Sequence, residues 1–315
     1  MENPVRVGSR WVMRRARWAR LDAGGVAALA AKMRDLPAVT WEGRYHFRGE
    51  EELTLRYLLV LDALNFCFWP PSKANEEKWS VPGPDGERLT GYFALAYALR
   101  RAAEEDALFF EPGALATTDA VRLRAALGEA PLLPWRVRGV REVGEALSRF
   151  GSAREFFAPA EGSCRRLVEL VTAQLPTFRD AALYDGRAVF FHKRAQILCA
   201  DLAGTFAGEG PGRLHDLDWL TAFADYKLPQ LLWAAGALVL HPLLAQRVRR
   251  FELLASGSPE EVELRAATIV AVEDLTAALR SHGRDVRPFE VDWMLWHLSQ
   301  ARLSVPHHRT RTAFY

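Results

Sequence analysis

Apolar residues recur at helical spacing along most of the chain. Val26-Ala27, Leu29-Ala30 and Met33 form one stripe before Pro37. Leu53, Leu55, Tyr57-Leu58, Val60-Leu61 and Leu64 form a second, and Phe93, Ala96 and Tyr97, with Leu95 and Leu99 alongside, form a third. This period predicts helices that are amphipathic or buried. Further helices are expected over 114–128, 139–150, 152–158 and 162–175, then from Phe190 to Phe206, Leu217 to Leu240, 259–282 and Val291 to Leu303. The best strand or hairpin candidate runs from Val39-Thr40-Trp41 to Tyr45-His46-Phe47-Arg48-Gly49, and Tyr184-Asp185-Gly186-Arg187 reads as a turn. Residues 69–90, with Pro70, Pro71, Pro82, Gly83, Pro84 and Gly86, read as a long loop. Its Trp69 and Trp79 suit either a cover over a site or a pin that holds the loop down. The expected fold class is all-α, mainly helical with a few short strands. With no internal repeat and no low-complexity linker, residues 1–315 read as a single domain, with room for two intimately packed helical lobes.

Composition narrows the function classes. At 315 residues and 50% hydrophobic content the chain can bury a large core. Its 41 basic and 39 acidic residues leave a formal charge of +2, so no overall field recruits nucleic acid or membrane. No apolar run approaches the ~20 residues of a bilayer span, and the expectation is a soluble, cytoplasmic protein. Cys67, Cys164 and Cys199 are widely spaced, which argues against a disulfide framework or structural zinc. The basic opening around Trp11 and Trp18 could contact phosphates or resemble a transit peptide. The apolar stripe of Val12, Met13 and Leu21 favours a solvated helix face docked by its Trp residues.

Candidate chemistry concentrates where polar groups interrupt apolar helices, because burying charges and amides is costly unless they are paired. One cluster is Phe191-His192-Lys193-Arg194-Ala195-Gln196, from which Lys193, Gln196 and Asp201 can share a helix face. A second is Phe223-Ala224-Asp225-Tyr226-Lys227-Leu228-Pro229-Gln230. Pro229 belongs in a helix's first turn, which sets Asp225 at or just before a helix N-terminus. There it is either a cap, worth about 0.5–2 kcal/mol, or a carboxylate kept ionised by backbone amides to face a developing cation. The only lysines are Lys32, Lys73, Lys78, Lys193 and Lys227, so two fall in these clusters of an otherwise Arg-rich chain. A compact ammonium in a tight space is one reason to keep Lys, and chance is another. A third group, Asp62, Asn65, Phe66, Phe68 and Trp69, suits a flat heterocycle stacked on aromatic faces and hydrogen-bonded at its edge, or a helix core. His215-Asp216, with His192 and Asp225 as partners, could ligate the metal of a phosphohydrolase, but no tight ligand spacing supports it and no metal is expected. His307-His308-Arg309-Thr310-Arg311 reads as a basic tail or as a reach toward a phosphate.

Several of these segments also occur together elsewhere. FHKRAQILCAD (191–201), DWLTAFADYKLPQ (218–230), LNFCFW (64–69), TGY (90–92) and the closing PHHRTRTAFY resemble the queuosine salvage protein family, in order and over nearly the whole chain. Lys227 stands where that family more often carries Arg. The resemblance implies an N-glycosylase that hydrolyses queuosine 5′-monophosphate and releases queuine, on a fold related to the helical DNA glycosylases. It implies a small-molecule substrate, no requirement for nucleic acid, and no cofactor. By residue matching, Asp225 would be the catalytic carboxylate with Lys193 beside it. Asn65, Phe66, Trp69, Phe223 and Tyr226 would line the base pocket, with His192, Asp201, Lys227 and Arg311 completing the substrate contacts. The chemistry demands such residues: positive charge builds on the ribose and negative charge on the departing base, so an anion near C1′ and donors around the heterocycle are both needed. The alternatives are the His215-Asp216 phosphohydrolase and a non-catalytic nucleobase- or tRNA-binding module.

Overall fold

The computed structural model describes residues 2–37, 39–70 and 78–315; Pro71 and Lys73 lie outside them. Helices dominate. In chain order they are α1 (Pro4–Met13), α2 (Ala23–Met33), α3 (Glu51–Leu64), α4 (Gly91–Glu105), α5 (Pro112–Ala116), α6 (Ala120–Leu127), α7 (Leu133–Phe150), α8 (Ala153–Phe157), α9 (Cys164–Gln174), α10 (Lys193–Thr205), α11 (Lys227–Ala234), α12 (Pro242–Arg249), α13 (Pro259–Ser281) and α14 (Pro288–Leu298). Among the described residues six short strands form three antiparallel pairs: β1 (Ala19–Leu21) with β6 (Leu238–Leu240), β2 (Ser80–Pro82) with β3 (Arg88–Thr90), and β4 (Ala181–Tyr184) with β5 (Arg187–Phe190). No helix among the described residues is long and apolar enough to cross a membrane.

The mainly helical expectation matches the structure, but several boundaries move. Residues 39–49 form no strand; a turn closed by the His46 amide on the Gly43 carbonyl carries Trp41 and His46 inward instead. The helix expected from Phe190 begins at Lys193, because Phe190 closes β5 and His192 adopts a left-handed φ of 47°. Asp180 organises that start: its carbonyl accepts the amides of Phe191 and His192, and its Oδ2 accepts the Lys193 amide at 3.1 Å. The helix expected over Val291 to Leu303 runs from Pro288 to Leu298. The 114–128 expectation divides at Asp119, which caps α6 by accepting the Arg122 amide.

The largest departure lies between Leu217 and Leu240. In place of one helix there is a 3₁₀ turn, an extended segment, α11 and β6. The two main apolar clusters explain it. One gathers α3, α4, α6, α7, α9 and α10; the other gathers α2, α11, α12, α13 and most of α14. Leu220 and Phe223 pack into the first and Ala222 and Ala224 into the second, so the chain between them is stretched and feeds both cores. Among the described residues no neighbouring strand satisfies its backbone; buried side chains do. Gln196 Oε1 accepts the Thr221 amide (3.1 Å), Asp292 Oδ2 accepts the Phe223 amide (2.8 Å), and Arg265 Nε donates to the Ala224 carbonyl (3.2 Å).

Candidate active site

A cleft opens along this stretched segment. Its wall includes Asn65, Trp69, Lys193, Ile197, Asp201, Phe223, Asp225, Tyr226, Lys227 and Asp292, with Trp41, His46, Tyr92, Trp296 and His307. Lys193, Ile197 and Asp201 follow one another at helical spacing on α10, so the cleft runs along that helix for about 12 Å. A second hollow, bordered by Glu51, Arg154, Glu161 and Arg213, keeps those charges largely in solvent and holds no buried titratable group.

Asp225 precedes α11. Its Oδ1 accepts the amides of Lys227 (2.8 Å) and Leu228 (3.0 Å), while Oδ2 makes no hydrogen bond among the described residues. Burial pushes its carboxyl above the ordinary value; the Lys193 ammonium and the two amides pull it back. Lys193 is 5% exposed, and its Nζ donates to the carbonyl and Oδ1 of Asn65 at 3.1 and 3.3 Å. Burial lowers its pKa to about 8, against the attraction of Asp225 and Asp62. Arg265 braces both groups from behind. It holds Asp180 in a bidentate pair at 2.7 and 2.6 Å, and through it the amide of Lys193, while its Nε holds the carbonyl next to Asp225.

Farther along α10, Asp201 accepts Trp41 Nε1–H at 2.9 Å and the Tyr92 hydroxyl at 2.8 Å, and Tyr92 meets His46 Nε2 at 2.9 Å. Burial raises Asp201 to about 6 and lowers His46 to about 3, leaving the imidazole neutral. Trp41 lies so close to α10 that a Cβ on Gly204 would come within 2.2 Å of its ring. Behind this group Asp62 is fully buried, and burial and then the charge of Asp201 raise its pKa well above the ordinary value, against the pull of Lys193, Asn65 and Arg194. Burial of this kind favours the uncharged acid.

At another part of the wall stand Lys227, Lys78, His307, Tyr226 and Trp69. Burial lowers the pKa of Lys227, Asp225 raises it, and the nearby Lys78 lowers it again. The His307 ring lies 4.7 Å from that of Tyr226 and 6.4 Å from that of Trp69; burial brings it to about 4.

Of the residues singled out from sequence, Asn65, Trp69, Lys193, Asp201, Phe223, Asp225, Tyr226 and Lys227 converge on this cleft. Phe66, His192 and Arg311 lie outside its wall. Phe66 lies against the guanidiniums of Arg136 (4.4 Å) and Arg194 (5.4 Å), His192 packs its ring against Phe190, and Arg311 is exposed. Gln196 holds the stretched segment and Asn3, and Arg194 donates to the carbonyls of Asp62, Ala63 and Thr177. The closing segment is no solvated tail: His308 is buried against the Tyr315 hydroxyl, and Arg309 covers the rings of Trp69 and Phe251. Asp216 caps α9, accepting the amides of Cys164 and Arg165 and the Ser163 hydroxyl. Among the described residues no group of three or more His, Cys, Asp and Glu is placed to hold a metal ion. Sequence reasoning missed Asp292, Trp41, His46, Tyr92 and Trp296 as wall residues. A lone carboxylate in the apolar run Val291-Asp292-Trp293-Met294-Leu295 was the available signal for Asp292.

Comparison with known proteins agrees with the segments that drew attention. The profile of the queuosine salvage protein family matches residues 45–315. The chain belongs to this family. It is 44% identical over 306 residues to a queuosine 5′-phosphate N-glycosylase/hydrolase of Sphaerobacter thermophilus, covering 95% of this chain and 93% of that one. Members of the family bearing the same name in Dictyostelium discoideum and Mus musculus are 37% and 31% identical, over 84% and 98% of this chain and 79% and 98% of theirs. The wall residues from α10 and from the segment leading into α11 all lie within the part that the family profile matches.

Proposed function

We propose that this chain is a cytoplasmic queuosine 5′-phosphate N-glycosylase/hydrolase that acts on the free mononucleotide, without RNA, and releases queuine. The observation that carries the reading is Asp225, a carboxylate with one oxygen tied to two amides and the other open to an aromatic cleft. In that position an ionised oxygen beneath C1′ stabilises the cationic sugar as the base departs and orients the incoming water. Lys193, pinned by Asn65, keeps Asp225 charged in a dry site. Trp69, Phe223 and Tyr226 supply faces for the flat base. The 5′-phosphate belongs at Lys227 and Lys78, whose mutual repulsion a dianion relieves, because Lys193 is buried and directed at Asn65. A near-neutral formal charge of +2 supports a small substrate over a polyanion.

Product analysis tests the reading. Purified protein incubated with queuosine 5′-monophosphate is expected to yield queuine and ribose 5-phosphate, undiminished by chelator. Release of inorganic phosphate with an intact nucleoside, or tight binding without turnover, contradicts it.

A further inference from the structure

Asp292 is another carboxyl in the cleft wall besides Asp225 and Asp201, 3% exposed, and the reading above gives it no chemical task. The Phe223 amide fixes its Oδ2 at 2.8 Å, whereas Oδ1 makes no hydrogen bond among the described residues. Lys193 acts on Asp225, Asp62 and Asp292, while Lys227 adds its charge at Asp225 and Arg194 at Asp62, so Asp292 shares Lys193 without a further cation of its own. The acids must therefore divide between charged and neutral forms. Asp225 holds the compensation: Lys193, two amides and the Lys227 ammonium. Asp292, on α14, faces Asp225 and Lys193 and keeps a single amide. Burial first, and then the charge of Asp225, push it up to about 8, the pattern by which paired carboxyls take opposite roles.

The geometry points to Asp292 as the general acid of the glycosidic reaction, delivering a proton from its open oxygen to the departing heterocycle while Asp225 remains ionised. A 7-deazaguanine lacks the ring nitrogen at position 7 through which a purine is most easily activated, so a donor at the remaining edge carries more of the work. The step balances without a co-reactant. The C1′–N9 bond breaks and its electron pair passes to the base, which takes the Asp292 proton. Water oxygen bonds to C1′, and its proton, accepted by Asp225, returns to the Asp292 carboxylate as the products leave.

This inference rests on the glycosidic reading, and leaving-group dependence separates the two. Asp292→Asn keeps the acceptor for the Phe223 amide but has no acidic proton to transfer. Two substrates are compared: queuosine 5′-monophosphate, and 4-nitrophenyl ribofuranoside 5-phosphate, whose phenolate departs with little need of protonation. The expected result is a kcat loss of about a hundred- to ten-thousand-fold on the nucleotide and of less than about tenfold on the nitrophenyl compound. The ratio of the two rates does not depend on the folded fraction, and Asp292→Glu, which retains an acid, is expected to hold that ratio near the wild-type value. Equal losses on both substrates, or an undiminished rate on the nucleotide, overturn the assignment of Asp292 alone. A wild-type protein that releases neither leaving group overturns the glycosidic reading with it.

Discussion

Single residues in this protein are charged or neutral according to what surrounds them, and that decides what each can do. Asp62 and Asp225 are both buried aspartates, yet two backbone amides hold an oxygen of Asp225, whereas burial and the neighbouring Asp201 push Asp62 well above its ordinary value. Lys193 and Lys227 both line the cleft, but Lys193 is buried and tied to Asn65, whereas Lys227, bonded to Gln230 at 3.3 Å, is only partly buried and feels the charge of Lys78. Lys227→Ala is accordingly expected to raise KM for the 5′-monophosphate about tenfold or more, as expected for a lost charge-assisted contact, with a smaller fall in kcat from the charge it lends Asp225 and little effect on KM for the unphosphorylated nucleoside. Steady-state kinetics on the two substrates check this; a fall in kcat with an unchanged KM would place Lys227 at the reacting centre instead. Candidate residues were legible where polar side chains broke an apolar run, as at 191–196 and 223–230. Trp41, His46 and Tyr92 were not, because their role comes from packing across distant segments onto Gly204 and Asp201.

Elements place these groups through the backbone. α10 starts where Asp180 gathers three consecutive amides, and the stretched segment ahead of α11 is held by Gln196, Asp292 and Arg265. Arg265 joins the two, stacked at 4.0 Å on Phe191 and 4.4 Å on Tyr315. Arg265→Lys keeps the charge but loses the bidentate fork and the stacking. It is expected to lower kcat about tenfold or more through a misplaced site while KM changes little, as kinetics alongside a thermal melt would check; an unchanged kcat would show that the two elements hold their places without it. Helix period forecast α3, α9 and α13 well. It failed over 217–240 because an apolar segment that feeds two cores alternately carries no helical stripe of its own, and its hydrogen bonds come from side chains remote in sequence.

At the scale of the whole molecule, the cleft lies where two apolar clusters meet along one stretched segment. The first cluster contributes the α3 terminus, with Asn65, and α10; the second contributes α11 and most of α14. A helical composition was readable from the chain. The arrangement that draws Asn65, Lys193, Asp225 and Asp292 together depends on long-range packing, which periodicity does not encode. The central claim is that Asp225 is the negative charge on which base release depends, and substitution by Asn tests it most directly, since the side chain stays nearly isosteric and can still accept both amides. Single-turnover release of queuine from saturating queuosine 5′-monophosphate is expected to slow by about a hundred- to ten-thousand-fold with substrate affinity largely kept. Release by Asp225→Asn at close to the wild-type rate would contradict the account.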